Sequence, residues 1–149
     1  MKRYKRILVA TDFTDINRLA VERGAILAKQ NKSELILLHV VEHFPYDGPL
    51  FSAMPQNLKP DDIMAQQVRG RMSKLLNALK LQAAQPEIRI TMKSARHEIL
   101  RFAKAHGVDL IVVAPHGRGI IGALGSTAIG ILNGAVCDVL SVREPEGEA

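Results

Sequence analysis

The sequence predicts an α/β protein built on a five-stranded parallel sheet of order 3-2-1-4-5, with helices on both faces. Short apolar segments typical of strands alternate along the chain with longer segments of helical periodicity. Such alternation gives parallel strands joined by right-handed crossovers that cover both sides of the sheet. The 149 residues, 47% apolar and 23% charged, suffice for one hydrophobic core, and we expect a single domain over residues 1–149.

The expected elements follow one another without a break in the alternation. Strands are expected at residues 6–11, 34–41, 87–93, 109–114 and 136–143. Helices are expected at residues 15–30, 60–84, 94–105 and 126–135. A polar tail over residues 144–149 completes the chain.

In the first half of the chain, two near-continuous aliphatic runs indicate strands buried on both faces. These are residues 6–11 (RILVAT) and 34–41 (ELILLHVV). Thr14 is a suitable N-cap for the helix between them. Residues 42–59 contain several prolines and no periodicity, so they predict a long loop, and Pro60 is well placed to open the next helix.

In the second half, the residue pattern changes from strand to strand. Residues 87–93 alternate apolar and polar side chains, which indicates a half-exposed strand at a sheet edge. Ser94 and Gly107 supply start and stop signals for the third helix. Residues 109–114 are again continuously apolar, and Ser126 marks the start of the last helix.

The predicted strand order places the switch point of the sheet between the first and fourth strands. The apolar early strands take central places and the alternating third strand takes an edge. Ligands of such sheets bind at the carboxyl ends of the strands beside the switch point. Here these ends are Asp12 and the glycine-rich loop of residues 115–126, which is followed by Ser126 and Thr127. Glycines and a helix start together are suited to an anion such as phosphate.

Three standard phosphate-binding patterns fit this loop poorly. Residues 117–122 read GRGIIG, but the better helix start is Ser126 and no acid ends the following strand, which disfavours a dinucleotide fingerprint. A P-loop requires a lysine before the hydroxyl residue, and none follows Lys104. A phosphoacceptor receiver is also disfavoured, because the fifth strand ends in Val142 and Arg143 rather than lysine.

Composition narrows the remaining classes. The net charge is +5, yet basic residues are dispersed and interleaved aromatics are missing, so nucleic-acid binding is not expected. A single cysteine, Cys137, is consistent with a reducing compartment. The start of the chain lacks a signal-peptide core, and residues 120–132 are too short for a membrane crossing, so we expect a cytoplasmic protein. The five histidines form no pattern of metal ligands, and no metal site is expected.

Several stretches, in order and at these spacings, resemble the universal stress protein family. They are KRILVATDFT, ELILLHVV, EILRFAKAHGVDLIVVAPHGRG, and GST followed by a helix and a C-x-V-L-x-V strand. The resemblance implies an adenine-nucleotide α-hydrolase-like, Rossmann-like fold and a role in stress survival. It also implies a homodimer through the last strand, here Val139–Val142.

The family that this chain resembles has two subtypes, and the sequence falls between them. One subtype binds ATP, or hydrolyses it feebly, through G-x2-G-x9-G-[S/T], whereas the other lacks the motif. Ala114 replaces the first glycine here, and seven residues instead of nine separate Gly117 from Gly125. By resemblance, Asp12 and Val40 match the ribose and adenine side, and the glycines with Ser126 and Thr127 match the phosphate side. The candidate nucleotide-binding residues are Ala10, Asp12, Val40, His116, Gly117, Gly125, Ser126 and Thr127.

Three functional hypotheses remain open from the sequence. The first is a regulatory protein that binds ATP or another adenine nucleotide, with or without Mg²⁺. The second is a nucleotide-free interaction protein whose shortened loop keeps only an anion site. The third is a weak ATP hydrolase in which Asp12 holds a divalent ion. His116 either contacts phosphate or orders the turn, and Asp12 either contacts ligand or caps the first helix.

Overall fold

The computed structural model describes residues 3–42, 60–115 and 125–144. They form one parallel sheet in the order β3-β2-β1-β4-β5, as the sequence predicts. The strands are β1 Arg6–Ala10, β2 Glu34–Glu42, β3 Gln85–Thr91, β4 Leu110–Val113 and β5 Asp138–Ser141. The helices are α1 Asp15–Asn31, α2 Pro60–Ala78, α3 Ala95–Ala105 and α4 Ser126–Gly134. None of the helices in these ranges combines the length and apolar character needed to cross a bilayer.

The core has two layers because successive strand side chains point to opposite faces of the sheet. Ile7 and Val9 of β1 belong to the cluster that contains Val21 of α1 and Met72 of α2. Leu8, between them, belongs to the opposite cluster of α3 and α4 residues. These three β1 side chains are fully buried, which confirms that the continuous apolar runs form central strands.

Several element ends differ from the sequence expectation. Helix α2 ends at Ala78 rather than Ala84, because Lys80 adopts a left-handed backbone (φ 55°) and turns the chain. Strand β3 begins at Gln85 and includes Pro86, which an edge strand tolerates. Strand β5 is shorter than expected at both ends.

The predicted loop and tail are only partly described. Glu42, assigned to the long loop of residues 42–59, is the last residue of β2. The other residues of that loop, 43–59, lie outside the described residues. Of the tail at residues 144–149, only Glu144 is described, and it belongs to no helix or strand.

The central pair β1 and β4 is fixed at its amino end by Asp109. The Asp109 carboxylate accepts hydrogen bonds from the backbone N–H groups of Lys5 (2.8 Å) and Arg6 (3.0 Å). The Asp109 N–H donates in return to the Arg6 carbonyl (3.1 Å). These bonds directly precede the Ile7 to Leu110 pairing, so Asp109 sets the register of two strands far apart in sequence.

Replacing Asp109 therefore tests how far this register depends on a side chain. We expect Asp109→Ala to lower the free energy of unfolding by about 1.5 kcal/mol, the lower end for hydrogen bonds to charged groups, because the site is partly exposed. Asp109→Asn keeps one carbonyl acceptor and should lose less. Urea unfolding of the three proteins measures both effects, and wild-type stability in Asp109→Ala would contradict the assignment.

Candidate functional site

A cavity of about 220 Å³ lies at the carboxyl ends of β1, β2 and β4, under the first turns of α3 and α4. It occupies the switch point, where the chain leaves β1 towards one face of the sheet and β4 towards the other. Its lining comes from Ala10, Thr11, Asp12, Asn17, Leu38, His39, Val40, Glu42, Ala95, Ile99, Val113, Ala114, Thr127, Ala128 and Ile131.

The turn after β1 is held by short hydrogen bonds around Asp12. Its Oδ1 accepts from the Thr14 N–H (3.0 Å) and from the Thr14 hydroxyl (2.5 Å). Thr14 occupies the predicted N-cap position of α1, but its side chain forms no cap hydrogen bond and serves Asp12 instead. Asp12 thus folds back on the turn while remaining in the cavity lining.

Phe13, within the same turn, has a left-handed backbone (φ 65°), an uncommon conformation for a bulky residue. Two contacts hold it there. Its N–H donates to the Thr11 hydroxyl oxygen (3.2 Å), and its ring lies 4.7 Å from the His39 ring, centre to centre. Backbone strain of this kind persists where the surroundings fix it, often at ligand sites.

His39 ties the end of β2 to the end of β1. Its Nδ1 lies 2.6 Å from the Thr11 carbonyl oxygen. Since a carbonyl only accepts, Nδ1 carries the hydrogen in this contact. The sequence pattern indicated no role for His39, whereas the structure gives it a positioning role beside Asp12.

Glu42 links the end of β2 to the start of α3. Its Oε1 accepts a hydrogen bond from the Ala95 N–H (2.8 Å), one of the free donors at the helix start. Ser94 supplies the predicted N-cap by accepting from the His97 N–H (3.2 Å). These two bonds hold the first turn of α3, including Ala95, over the cavity.

Helix α4 forms the cavity wall beside α3, and the two helices pack closely. A Cβ at Gly134 would lie 2.8 Å from Leu100 Cδ1, and a Cβ at Gly130 would lie 1.9 Å from Arg96 Cδ. The two glycines, one turn apart, therefore let α4 pack directly on α3. Thr127 lies one turn before Gly130, and this contact directs it to the cavity.

The structure brings together four of the candidate residues. Ala10, Asp12, Val40 and Thr127 all line the cavity. Gly125 occupies the N-cap position of α4, and Ser126 begins the helix with an exposed side chain, so neither contributes to the lining. His116 and Gly117 lie outside the described residues.

Several lining residues were not predicted from the sequence, among them Thr11, Asn17, His39, Glu42 and Ala95. Thr11 and His39 lie beside the predicted Asp12 and Val40, so their position at the ends of strands was a usable signal. Asn17 and Ala95 carry no such signal, because their contribution depends on how α1 and α3 pack on the sheet.

The lining contains the acids Asp12 and Glu42, and no lysine or arginine from the described parts of the chain. Apolar side chains form most of the remaining wall. Within residues 3–42, 60–115 and 125–144, no group of three or more histidine, cysteine or acidic side chains is arranged to hold a metal ion.

This arrangement defines a class of protein: a doubly wound α/β domain whose cavity lies at the switch point of a 3-2-1-4-5 sheet. The chain belongs to the universal stress protein family, since the family model matches residues 3–143.

Three proteins that match this chain over nearly their whole length illustrate the similarity. It is 35% identical to universal stress protein A homolog 2 of Coxiella burnetii, over 96% of this chain and 97% of that one. Universal stress protein UspA from Lactobacillus plantarum has a similar structure, with a TM-score of 0.78 and 26% identity, covering 96% of this chain and all of that one. The universal stress protein from Archaeoglobus fulgidus in complex with dAMP shares the fold, with a TM-score of 0.67 and 18% identity over 95% and 100% of the two chains.

Glu98 anchors the helix that carries Ala95 and Ile99 to the cavity. This residue is 5% exposed, and both of its carboxylate oxygens accept from the Arg101 guanidinium, at 2.5 and 3.0 Å. These hydrogen bonds hold the pKa of Glu98 below its usual range, against the opposing effect of burial.

Because the pKa of Glu98 is lowered by folding, the pair stabilises the protein above the unfolded pKa of about 4.3, and this stabilisation is lost as pH falls through the folded value. We expect Glu98→Gln to be less stable than wild type at pH 7, with a difference that shrinks below pH about 4. Thermal unfolding of both proteins across this range measures it. A difference independent of pH would assign the effect to packing alone.

Proposed function

We propose that this protein binds ATP or another adenine nucleotide in the switch-point cavity and acts as a nucleotide-dependent regulatory protein in stress response. In this proposal it works as one domain in the cytoplasm, and it senses the nucleotide rather than turning it over. The adenine and ribose occupy the cavity, and the phosphates extend towards the start of α4.

The convergence of Ala10, Asp12, Val40 and Thr127 on one cavity carries the proposal. These residues come from three separate segments of the chain, and family resemblance independently relates Asp12, Val40 and Thr127 to nucleotide contacts. Asp12 offers a carboxylate to ribose hydroxyl groups, as acids do in related sheets. Val40 and the aliphatic walls suit the flat face of a purine.

Size and charge divide the nucleotide between cavity and surroundings. At about 220 Å³ the cavity is smaller than the roughly 300–1,000 Å³ of complete small-molecule sites, so it suits the nucleoside part. The described part of its lining is acidic and contains no lysine, so it is unfavourable to phosphate. The N–H groups at the start of α4, with Gly125 and Ser126, offer donors and a favourable helix dipole instead. We include His116 and Gly117 in the phosphate side of the proposed site.

A neighbour of the same fold adds support, because the Archaeoglobus fulgidus universal stress protein was solved in complex with dAMP. The fold therefore accommodates an adenine nucleotide. The main departure in this chain, besides Ala114 in place of the first glycine, is the segment between Gly117 and Gly125, which is two residues shorter than in the ATP-binding motif. Direct titration is therefore the decisive experiment.

Calorimetric titration should detect ATP binding to the wild-type protein and loss of it in Gly125→Val. The added side chain would crowd the start of α4 and keep phosphate from its N–H groups, weakening binding at least about tenfold, or 1.4 kcal/mol. Gly70→Val is the matched control, because Gly70 is exposed on α2 with no neighbour within 4 Å of a new Cβ.

Other outcomes of the titration distinguish the remaining hypotheses. No heat at millimolar ATP, with the protein folded, would contradict the proposal. Binding of inorganic phosphate alone would then favour the nucleotide-free protein with an anion site. Repeating the titration with Mg²⁺ and measuring phosphate release tests the hydrolase; magnesium-dependent release lost in Asp12→Ala would contradict a purely sensory role.

We further propose that the protein forms a homodimer through its last strand, Val139–Val142. Strand β5 is an edge of the sheet, and an edge strand offers backbone donors and acceptors to a second copy. Apolar side chains are exposed nearby: Val136, just before β5, is 84% exposed, and Ile129 and Leu132 of α4 are also exposed. A second copy would cover them.

Val139→Asp should convert the dimer to a monomer, because a charge beside the paired edge would lose solvation on association. Val139→Thr keeps the shape and a β-branched side chain, so it should remain dimeric. Sedimentation equilibrium measures the mass, and circular dichroism verifies that each variant is folded. Val136→Asp, at an exposed position, repeats the test with less risk to folding. Dimers of unchanged affinity in both aspartate variants would place the interface elsewhere.

A further inference from the structure

A second hollow lies at the other end of the strands, beside the amino ends of β2 and β3. It is an open groove of about 600 Å³ between the end of α1 and the segment of residues 80–84 that leads into β3. Its apolar lining consists of Ala25, Ala28, Leu35, Leu81, Ala83 and Ala84. Three lysines, Lys29, Lys32 and Lys80, border it.

The two helices beside this groove end in the same hydrogen-bonded turn. At the end of α1, the Ser33 N–H donates to the Ala28 carbonyl (2.8 Å) and the Lys32 N–H to the Lys29 carbonyl (3.4 Å). At the end of α2, the Leu81 N–H donates to the Leu76 carbonyl (2.9 Å) and the Lys80 N–H to the Asn77 carbonyl (3.3 Å). Both pairs form a Schellman motif, which requires one left-handed residue.

Lysine is an unfavourable residue for that left-handed position, yet both turns use it. Lys32 and Lys80 each have φ of 55°, where glycine is the favoured residue. Helix α3 ends in a comparable turn, with the Val108 N–H donating to the Ala103 carbonyl (3.0 Å), and there the left-handed residue is Gly107 (φ 63°). Gly107 does not line the groove, whereas both strained lysines do.

The charge of the groove is of one sign. Among the residues described, its lining contains three lysines and no acid, and none of the three makes an ion pair. A lysine near a helix end complements the helix dipole, which accounts for Lys29 within α1. It does not account for Lys32 and Lys80 occupying backbone conformations that favour glycine. Strained positions of this kind point to a function of the side chain.

We propose that this groove binds a single-chain amphiphile with an anionic head, of the fatty-acid class. The aliphatic chain lies on the alanine and leucine floor, and the carboxylate lies between the lysine ammonium groups. The volume of about 600 Å³ is in the range of small-molecule sites, and the combination of apolar floor and cationic rim requires both parts of such a ligand. The site is independent of the proposed nucleotide cavity, which lies at the carboxyl ends of the strands.

Four probes separate the contributions of chain and charge. Calorimetry on the full chain should show binding of octanoate and octyl phosphate. Octanol, which has the chain without the charge, and inorganic phosphate, which has the charge without the chain, should each bind at least about tenfold more weakly. Equal binding of phosphate would reduce the groove to a simple anion site, and equal binding of octanol would reduce it to apolar surface; either result overturns the proposal.

The double variant Lys32→Gly/Lys80→Gly separates ligand binding from folding. Glycine relieves the left-handed backbone, so the melting temperature should hold or rise. Octanoate affinity should nevertheless fall at least about tenfold, or 1.4 kcal/mol, because two of three cations are lost. Lys104→Ala, on α3 and away from the groove, is the charge-matched control for one lysine and should bind octanoate as wild type does.

Three further results would overturn the assignment. One is retained octanoate affinity in the double glycine variant. Another is that the wild-type protein does not bind octanoate. A third is that the wild-type protein sediments with anionic phospholipid vesicles but does not bind octanoate, which would indicate a membrane-surface contact. Gly125→Val should leave octanoate binding unchanged, so failure of the nucleotide proposal and failure of this one are distinguishable.

Discussion

The pairing of β1 with β4 is the constraint on which the rest of the structure depends. These strands are about a hundred residues apart in the chain, and only their alignment creates the switch point. The Asp109 carboxylate, bound to the Lys5 and Arg6 N–H groups, fixes that alignment at the amino end. Helix α1 then covers one face of the sheet and α4 the other, so the space between the strand ends is left open by topology rather than by a packing defect.

The carboxyl and amino ends of the strands in this parallel sheet have opposite chemistry. At the carboxyl ends of the strands, helices begin, and Glu42 accepts a hydrogen bond from the Ala95 N–H at the start of α3. At the amino ends of the strands, α1 and α2 end, and Lys29, Lys32 and Lys80 lie near their carbonyl ends. Left-handed backbone conformations of non-glycine residues occur at both ends of the strands, at Phe13 beside the cavity and at Lys32 and Lys80 beside the groove. Among the residues described, none occurs within the strands themselves, which is consistent with binding chemistry at the strand ends.

The sequence was sufficient for the strand order, because burial leaves a direct trace in residue type: continuous apolar runs for β1, β2 and β4, and alternation for β3. It was insufficient for the end of α2, because residues 79–84 are good helix formers and Lys80 hides a turn that glycine would have announced. Of the candidate residues, Asp12 follows β1 and Thr127 lies in the first turn of α4, while Val40, named through the family resemblance, lies within β2; all three line the cavity. The bridging roles of His39 and Glu42 depend on contacts across strands and helices, which no local pattern encodes.

The contact between α3 and α4 bears on one part of the candidate site, the position of Thr127, and the short glycine segment bears on another, the phosphate side. Thr127, Ile131 and Gly134 lie on one face of α4, and a Cβ at Gly134 would lie 2.8 Å from Leu100 Cδ1, so this face packs closely on α3. The packing of α4 on α3 thus accounts for the place of Thr127 in the cavity lining. Ser126, one residue earlier, is exposed for the same reason. The shorter spacing between Gly117 and Gly125 therefore bears on the phosphate side of the proposed site, whereas the place of Thr127 in the cavity lining rests on the packing of α4 against α3.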